Sequence, residues 1–531
     1  MSSDSVASSG SLSSAPLPAR AWLTAIIYIA AAALLLRFYD VPLKPLHSDE
    51  AVNGLFLTRL VVPPHQYRYD PANYHGPTLF YAAWLSTLVF PPTFAIRAVA
   101  GVAGLLSVVL MLRFRRSIGS IGALAAALLL ALSPGAVYFS RYFIHEMPLV
   151  FLTIGLVAAA VDWRQSGRQT SLYLAALSAG LMFATKETAF ISVIVLVAAI
   201  FGAAWFVEAR LNARARQPVT WPWQIAFLRR ELRDVLDPHN RGRRQVAAWL
   251  IATAIFLGVN LLFYTSFFTH PQGAIDALKA FALWSRTGTS DHIHASYTYL
   301  AWLTQEEMAV LLLGTAGAIL ALWKADNQFA VFAALWSIGI LAAYSIIPYK
   351  TPWLTLNIIA PLAICGGYAA DFAWRHLAAT RRVVVAGVAT ALLLLSTYQA
   401  VALSFVRYDD NTNPYVYAHT SRDVLRLVAE VQRLGEHNRD VTITVTSKNQ
   451  FPLSWYLRSY RSRYYSTPLL TNDSLVIGGV DQQPALERLL GDRYAKIGRY
   501  TLRSGVGLVL FGRRDLVGLG SSESNPNASD R

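Results

Sequence analysis

The 531-residue chain contains a single cysteine, Cys365, inside an apolar run. That excludes an internal disulfide and any multi-thiolate metal site. Charge is scarce as well: Asp, Glu, Lys and Arg make up 15% of the residues, against roughly 25% in soluble domains. With 54% hydrophobic residues and a mean hydropathy of +0.38, the composition is that of a polytopic membrane protein. Acids are the scarcer sign, 31 against 46 basic residues, which leaves a net charge of +15. Nucleic-acid binding is not the reading of that excess. The arginines fall in short loops between apolar runs, where they orient helices in a bilayer. No internal repeat is visible.

A spanning helix needs roughly 20 mostly apolar residues. Eleven stretches qualify, near 21–39, 94–112, 121–139, 147–162, 171–185, 188–206, 246–266, 303–323, 328–347, 352–371 and 383–403. The fourth and fifth are short enough for one pair to be re-entrant. The first has its small residues mid-segment and more leucines after them, so it reads as a retained helix and not a cleaved signal peptide. The apolar stretch 75–92 is short and proline-bounded, and is expected to lie against the membrane face, with a twelfth span as the alternative. Five basic loops, at 113–117, 162–169, 207–245, 323–327 and 374–382, alternate with loops poor in Lys and Arg. The basic set should face the cytoplasm of a cell inner membrane. Eleven spans with the N-terminus inside satisfy this, and place the segment after 403 outside.

Residues 1–20 are Ser-, Ala- and Pro-rich and read as a disordered cytoplasmic tail. The membrane domain is expected over 21–403. From 404 to 515 the pattern changes: helical spacing in 421–436 and 483–491, and alternating β-branched runs at "VTITVT" (441–446), "SLVIGG" (474–479) and "GLVLFGRR". This predicts a small extracytoplasmic α/β domain. Residues 516–531 read as a disordered tail.

The loops on the expected outer face carry the unusual polar groups. "HSDEA" (47–51) follows the first span, and then come "YRYDPANYHGP" (67–77), "SRYFIHEMP" (140–148), "FATKETAF" (183–190) and "PYKTPW" (348–353). Carboxylates Asp49, Glu50 and Glu146 and cations Arg141, Lys186 and Lys350 are thus offered on one face. His47, Tyr69, His75, His145, Tyr349 and Trp353 surround them as candidate substrate contacts. Cations hold a phosphate, and a carboxylate can take a proton from an attacking hydroxyl. Each element also has a plainer reading. Asp49 and Glu50 suit a helix N-terminus, Lys186 and Glu187 an ion pair at a tight turn, Arg141 and Glu146 a surface pair. Lys350 could snorkel, and the aromatics could form an interfacial belt. His292 and His294 leave a divalent cation open, although two histidines alone do not make a site.

These motifs, with "YKTPWLTLNIIAPLA" and "FPLSWYLRSY" (451–460), occur in an order that resembles a known family. It is the flippase-activity-associated proteins of the archaeal glycosylation pathway, which has many bacterial members. That family looks like a branch of the GT-C superfamily, related to protein O-mannosyltransferases and to the aminoarabinose transferases that modify lipid A. The resemblance implies a GT-C-like membrane domain that takes a sugar from a polyprenyl phosphate. The sugar goes to a glycan, lipid or protein acceptor.

By the same carry-over Asp49 is the base, and Glu50 orients it or contacts the acceptor. Glu146 lines the site, and Lys186 and Lys350 grip the donor phosphate. The sequence departs from the transferases in having Glu187 after the lysine and Glu at 146. The rival readings are a flippase or transporter of a lipid-linked sugar, and a binder that performs no chemistry.

Overall fold

The computed structural model describes residues 17–516 apart from 216–220, 238, 240, 288–292 and 437–439. The two expected tails lie outside the described residues, save for 17–20 and Leu516, and so does His292. Eight described stretches are long and apolar enough to cross a membrane: Ala19–Leu43, Pro92–Ile118, Glu146–Ser166, Ala189–Arg214, Arg243–Tyr264, Gln328–Ile346, Pro352–His376 and Ala379–Val406. A bent pair of helices makes a ninth if it is one span. The chain is an integral membrane protein with a small mixed-sheet domain after its last span.

α1 (Ala19–Phe38) is followed by α2 (Ser48–Val61) and α3 (Thr78–Thr87). α3 covers only about 15 Å at 1.5 Å per residue. It cannot span. It buries Leu79, Phe80, Tyr81 and Ala83 and leaves Trp84 and Leu85 exposed, and Leu88, Val89 and Phe90 just after it are exposed too, as at a membrane face. α4 (Pro92–Met111) returns across the bundle and ends at the short α5 (Arg115–Ile118).

The expected span 121–139 is broken into α6 (Ser120–Leu132) and α7 (Pro134–Phe139). Pro134 cannot donate a backbone hydrogen bond and drives Ser133 into extended backbone (ψ 125°). The carbonyls this frees are taken up by side chains. Arg37 donates to Leu130 O (3.2 Å) and Ala131 O (3.1 Å), and Ser396 Oγ donates to Leu132 O (2.9 Å). A buried arginine inside a span is thereby explained: it satisfies a backbone that lipid could not.

α8 (Glu146–Ser166) has 21 residues and is a full span, not the short one expected. α9 (Gln169–Thr185) has 17 residues, and α10 (Ala189–Arg214) has 26. The arginine-rich loop then contains an unexpected helix, α11 (Trp221–Leu236), before α12 (Arg243–Tyr264). α13 (Gly273–Thr287) and α14 (Thr298–Glu306) follow.

The expected straight span at 303–323 is not straight. The chain bends by 114° between α14 and α15 (Met308–Lys324). At the bend the buried Glu307 carboxylate accepts the Gly135 amide (2.6 Å) at the start of α7, so two broken helices satisfy each other. α16 (Gln328–Ile346), α17 (Leu356–His376) and α18 (Ala379–Val401) complete the bundle, with α17 the most buried of the candidate spans.

All eleven expected stretches are therefore helical, although fewer pass on length and straightness. The basic segments gather at one end of the bundle. There Arg113 lies 3.7 Å from Asp162, Arg210 donates to Trp323 O (3.0 Å), Arg214 to Lys324 O (2.7 Å) and Asn327 to Ser117 O (2.7 Å).

The last part of the chain has α19 (Asp423–Glu436), β1 (Thr442–Thr446), α20 (Leu453–Tyr456), β2 (Arg461–Tyr464), β3 (Leu475–Gly479), α21 (Gln483–Leu490), β4 (Tyr494–Arg503) and β5 (Val506–Arg513). The sheet order is β2-β1-β3-β5-β4, parallel on one side and closed by the antiparallel β4–β5 hairpin on the other. The domain is fastened to α2. A Cβ on Gly54 would stand 2.4 Å from the Trp455 ring, so only glycine lets α20 approach this closely, and Tyr456 Oη accepts the Leu46 amide (2.9 Å).

Candidate functional site

A cavity of about 570 Å³ lies at the end of the bundle opposite the basic cluster. It is walled by the N-terminus of α2, the turn at 72–75, the starts of α8 and α10, the 347–354 segment and the connector around Tyr417.

α2 begins with a reciprocal cap. His47 Nδ1 accepts the Asp49 amide (3.1 Å), while Glu50 Oε2 accepts the His47 amide (2.9 Å). Because Nδ1 is an acceptor, the ring proton is assigned to Nε2, which donates to Tyr417 O (3.1 Å). The two acids then part. Asp49 turns into the cavity with its side chain 46% exposed, and Oδ2 lies 3.7 Å from His47 Nδ1. Glu50 is wholly buried and held by Arg97 at 2.7 and 2.8 Å and by the Phe143 amide at 3.0 Å. Burial works against the Glu50 charge, and the Arg97 guanidinium outweighs it, holding the carboxyl below its usual range.

On the opposite wall, Lys186 Nζ and Glu146 Oε1 form a buried ion pair across the ends of α9 and α8. Burial opposes the ammonium charge, yet Glu146 and Glu187 raise its pKa above the ordinary value, so Lys186 is a fixed cation. Glu187 in turn pairs with His75 Nδ1 at 2.8 Å. Burial again opposes the charge; His75 and Lys186 overcome it and keep this carboxyl low. His75 is brought there by its neighbour. The Gly76 amide donates to Thr185 O (3.0 Å), and a Cβ on Gly76 would stand 2.1 Å from Ala184 O. The His145 ring is 4.7 Å from that of His75. Burial, with His75 and Lys186 close by, pushes its pKa down, so it is neutral.

Of the residues singled out in the sequence, Asp49, Glu146, Lys186, His47, His75, His145, Tyr349 and Trp353 line this cavity. Four are engaged elsewhere. Glu50 forms the Arg97 pair. Arg141 donates to the carbonyls of Tyr39 (2.6 Å) and Asp40 (2.7 Å), closing the end of α1. Lys350 Nζ spends its protons on the carbonyls of Tyr344 (3.2 Å), Ser345 (3.1 Å) and Ile347 (2.6 Å), capping α16. Tyr69 is buried beside Tyr264, with ring centroids 4.8 Å apart.

Sequence reasoning passed over Glu187 as a site residue, though its departure from the transferase pattern was the signal. It missed Trp284, Tyr417 and Arg503, which reach the cavity from distant segments. Among the described residues no three His, Cys, Asp or Glu gather as a metal site.

Comparison with solved structures gives the fold. ArnT from Cupriavidus metallidurans, solved bound to undecaprenyl phosphate, superposes with a TM-score of 0.57 over 93% of this chain and 98% of that one, at 16% identity. The fold is that of the GT-C membrane glycosyltransferases. The Archaeoglobus fulgidus oligosaccharyltransferase AglB, in complex with an inhibitory peptide and a dolichol-phosphate, matches with a TM-score of 0.51 at 12% identity, over 93% and 74% of the two chains. A family profile described as dolichyl-phosphate-mannose-protein mannosyltransferase matches residues 74–223, the stretch that carries His75, Glu146, Lys186 and Glu187. No curated protein matches the chain by sequence.

Proposed function

We propose that this protein is a membrane glycosyltransferase that moves a sugar from a polyprenyl phosphate to an acceptor hydroxyl or amide. One observation carries the reading: a single cavity in a GT-C fold holds a reachable carboxylate, Asp49, and a buried, charge-fixed cation, Lys186. The acceptor oxygen or nitrogen attacks C1 of the sugar and gives its proton to Asp49. The C1–O bond breaks, and its electron pair stays on the phosphate, which leaves as a polyprenyl phosphate monoester. Lys186 faces the charge that develops there, which is where fixed positive charge lowers a barrier most. Asp49 as base contributes roughly 10²–10⁴ in rate.

Glu50 and Arg97 act behind the site by fixing the first turn of α2 on which Asp49 stands. The likeness of the motifs to the flippase-activity-associated proteins belongs to the same reading. So does the orientation, with the basic end in the cytoplasm and the cavity and C-terminal domain outside. A transporter is favoured less, because the charged cavity sits at one end of the helices and not near the bilayer midplane. The test is to supply the purified protein with polyprenyl-phosphate sugars and candidate acceptors. Release of polyprenyl phosphate that depends on acceptor supports the reading, and binding without release across all donors rejects it.

A further inference from the structure

The cavity's lysine, Lys186, is already matched with a carboxylate, Glu146, and the His75 ring with Glu187. Arg503 is different. It is the one Lys or Arg lining the cavity, among the described residues, that is paired with no carboxylate; its Nη2 donates to the neutral Asn449 amide oxygen. It also comes from outside the membrane domain, at the tip of the β4–β5 hairpin.

Its position is specified by a chain of contacts. The Leu502 carbonyl accepts the Ser421 amide (2.8 Å), and Asp423 Oδ2 accepts the Thr501 amide (2.7 Å). The connector between them is anchored below by Tyr417 O to His47 and by His419 Nδ1 to Tyr142 Oη (2.9 Å). The hairpin tip is therefore locked to the same elements that hold Asp49.

Arg503, Tyr417 and Ala418 are shared with a second cavity of about 340 Å³, further out between the connector and the hairpin. Apart from Arg503 its described lining is uncharged, including Asn411, Asn413 and Ser504. Two neighbouring cavities that share a guanidinium with no carboxylate partner offer an oxyanion a bidentate contact.

We propose that Arg503 forms an anion subsite by which the C-terminal domain completes the cavity, taking a phosphate or carboxylate group of a substrate. The anion has two possible sources, the donor's lipid phosphate and an acidic group on the acceptor. The proposal rests on the transfer reading only for the names of these sources.

The test measures binding by the full-length protein in detergent, with undecaprenyl phosphate as one probe and glucose 6-phosphate and glucuronic acid as soluble anions. Arg503→Gln weakens one class at least tenfold with an unchanged melting transition, and Arg503→Lys recovers part of the loss. A loss confined to undecaprenyl phosphate assigns the donor; one confined to the soluble anions assigns the acceptor. Unchanged affinity for both, or no binding of either by the wild-type protein, overturns the proposal. Transfer that needs Asp49 but ignores Arg503 removes the subsite and leaves the function. Arg503-dependent binding without any transfer does the reverse.

Discussion

Asp49 and Glu50 are neighbours in the chain and occupy opposite surroundings: the first side chain is 46% exposed in the cavity, the second fully buried on Arg97. Their effects on stability should separate accordingly. Removing one partner of a buried pair costs about 3–5 kcal/mol, so Glu50→Gln should lower the melting temperature sharply. Asp49→Asn should leave it almost unchanged. Thermal melts in detergent compare the two, and equal shifts would contradict the division of labour.

Lys186 should dominate affinity for the lipid phosphate. Lys186→Gln is expected to weaken undecaprenyl phosphate binding by tenfold or more. Because the Lys186 pKa is raised above its ordinary 10.5, wild-type binding should stay level between pH 8 and 10. The stabilising contribution of the pair follows the same sign. It is fully present below the unfolded value and is lost as pH rises through the raised folded one. A binding transition within pH 8–10 that disappears in Lys186→Gln would show that the amine is not held as a cation.

The 72–76 turn makes a steric prediction. Gly76→Ala places a methyl 2.1 Å from Ala184 O. The turn must move, taking His75 off Glu187. Activity should fall tenfold or more, and a His75→Gln change on top of it should add little. Additive losses in transfer rate would separate the turn from the histidine.

The orientation is open to a labelling experiment with little background, since the one native cysteine, Cys365, is buried. Ser48 lines the cavity, and Ala213 is exposed near the basic end of α10. In intact cells Ser48→Cys should react with an impermeant thiol reagent and Ala213→Cys should not. The opposite pattern would invert the topology.

What could be read in the sequence follows from what each signal measures. Apolar runs report burial in lipid, so all eleven stretches were legible as helices. The same runs are blind to direction changes, and the bend at Glu307 went unseen. α11 and α13 escaped because their polar faces break the hydrophobic run, and β2 because "RSRY" is a short edge strand with none of the β-branched residues that marked the others. The site was legible as a face of the protein and not as a set of contacts. Successive helical residues point about 100° apart, so the acidic pair could not be resolved into a cavity residue and a buried one. Lys350 and Arg141 lie at the right depth, yet helix ends need cations for their free carbonyls, and these two serve there. Arg503 lies more than 450 residues from Asp49 along the chain, beyond the reach of any local pattern.

In the proposed transfer, the step that everything else serves is removal of the acceptor's proton by Asp49. The most direct test measures transfer from a polyprenyl-phosphate sugar by wild-type and Asp49→Asn protein, with undecaprenyl phosphate binding measured in parallel. Transfer should fall by two orders of magnitude or more in Asp49→Asn, with binding retained. Transfer by Asp49→Asn at the wild-type rate would contradict it.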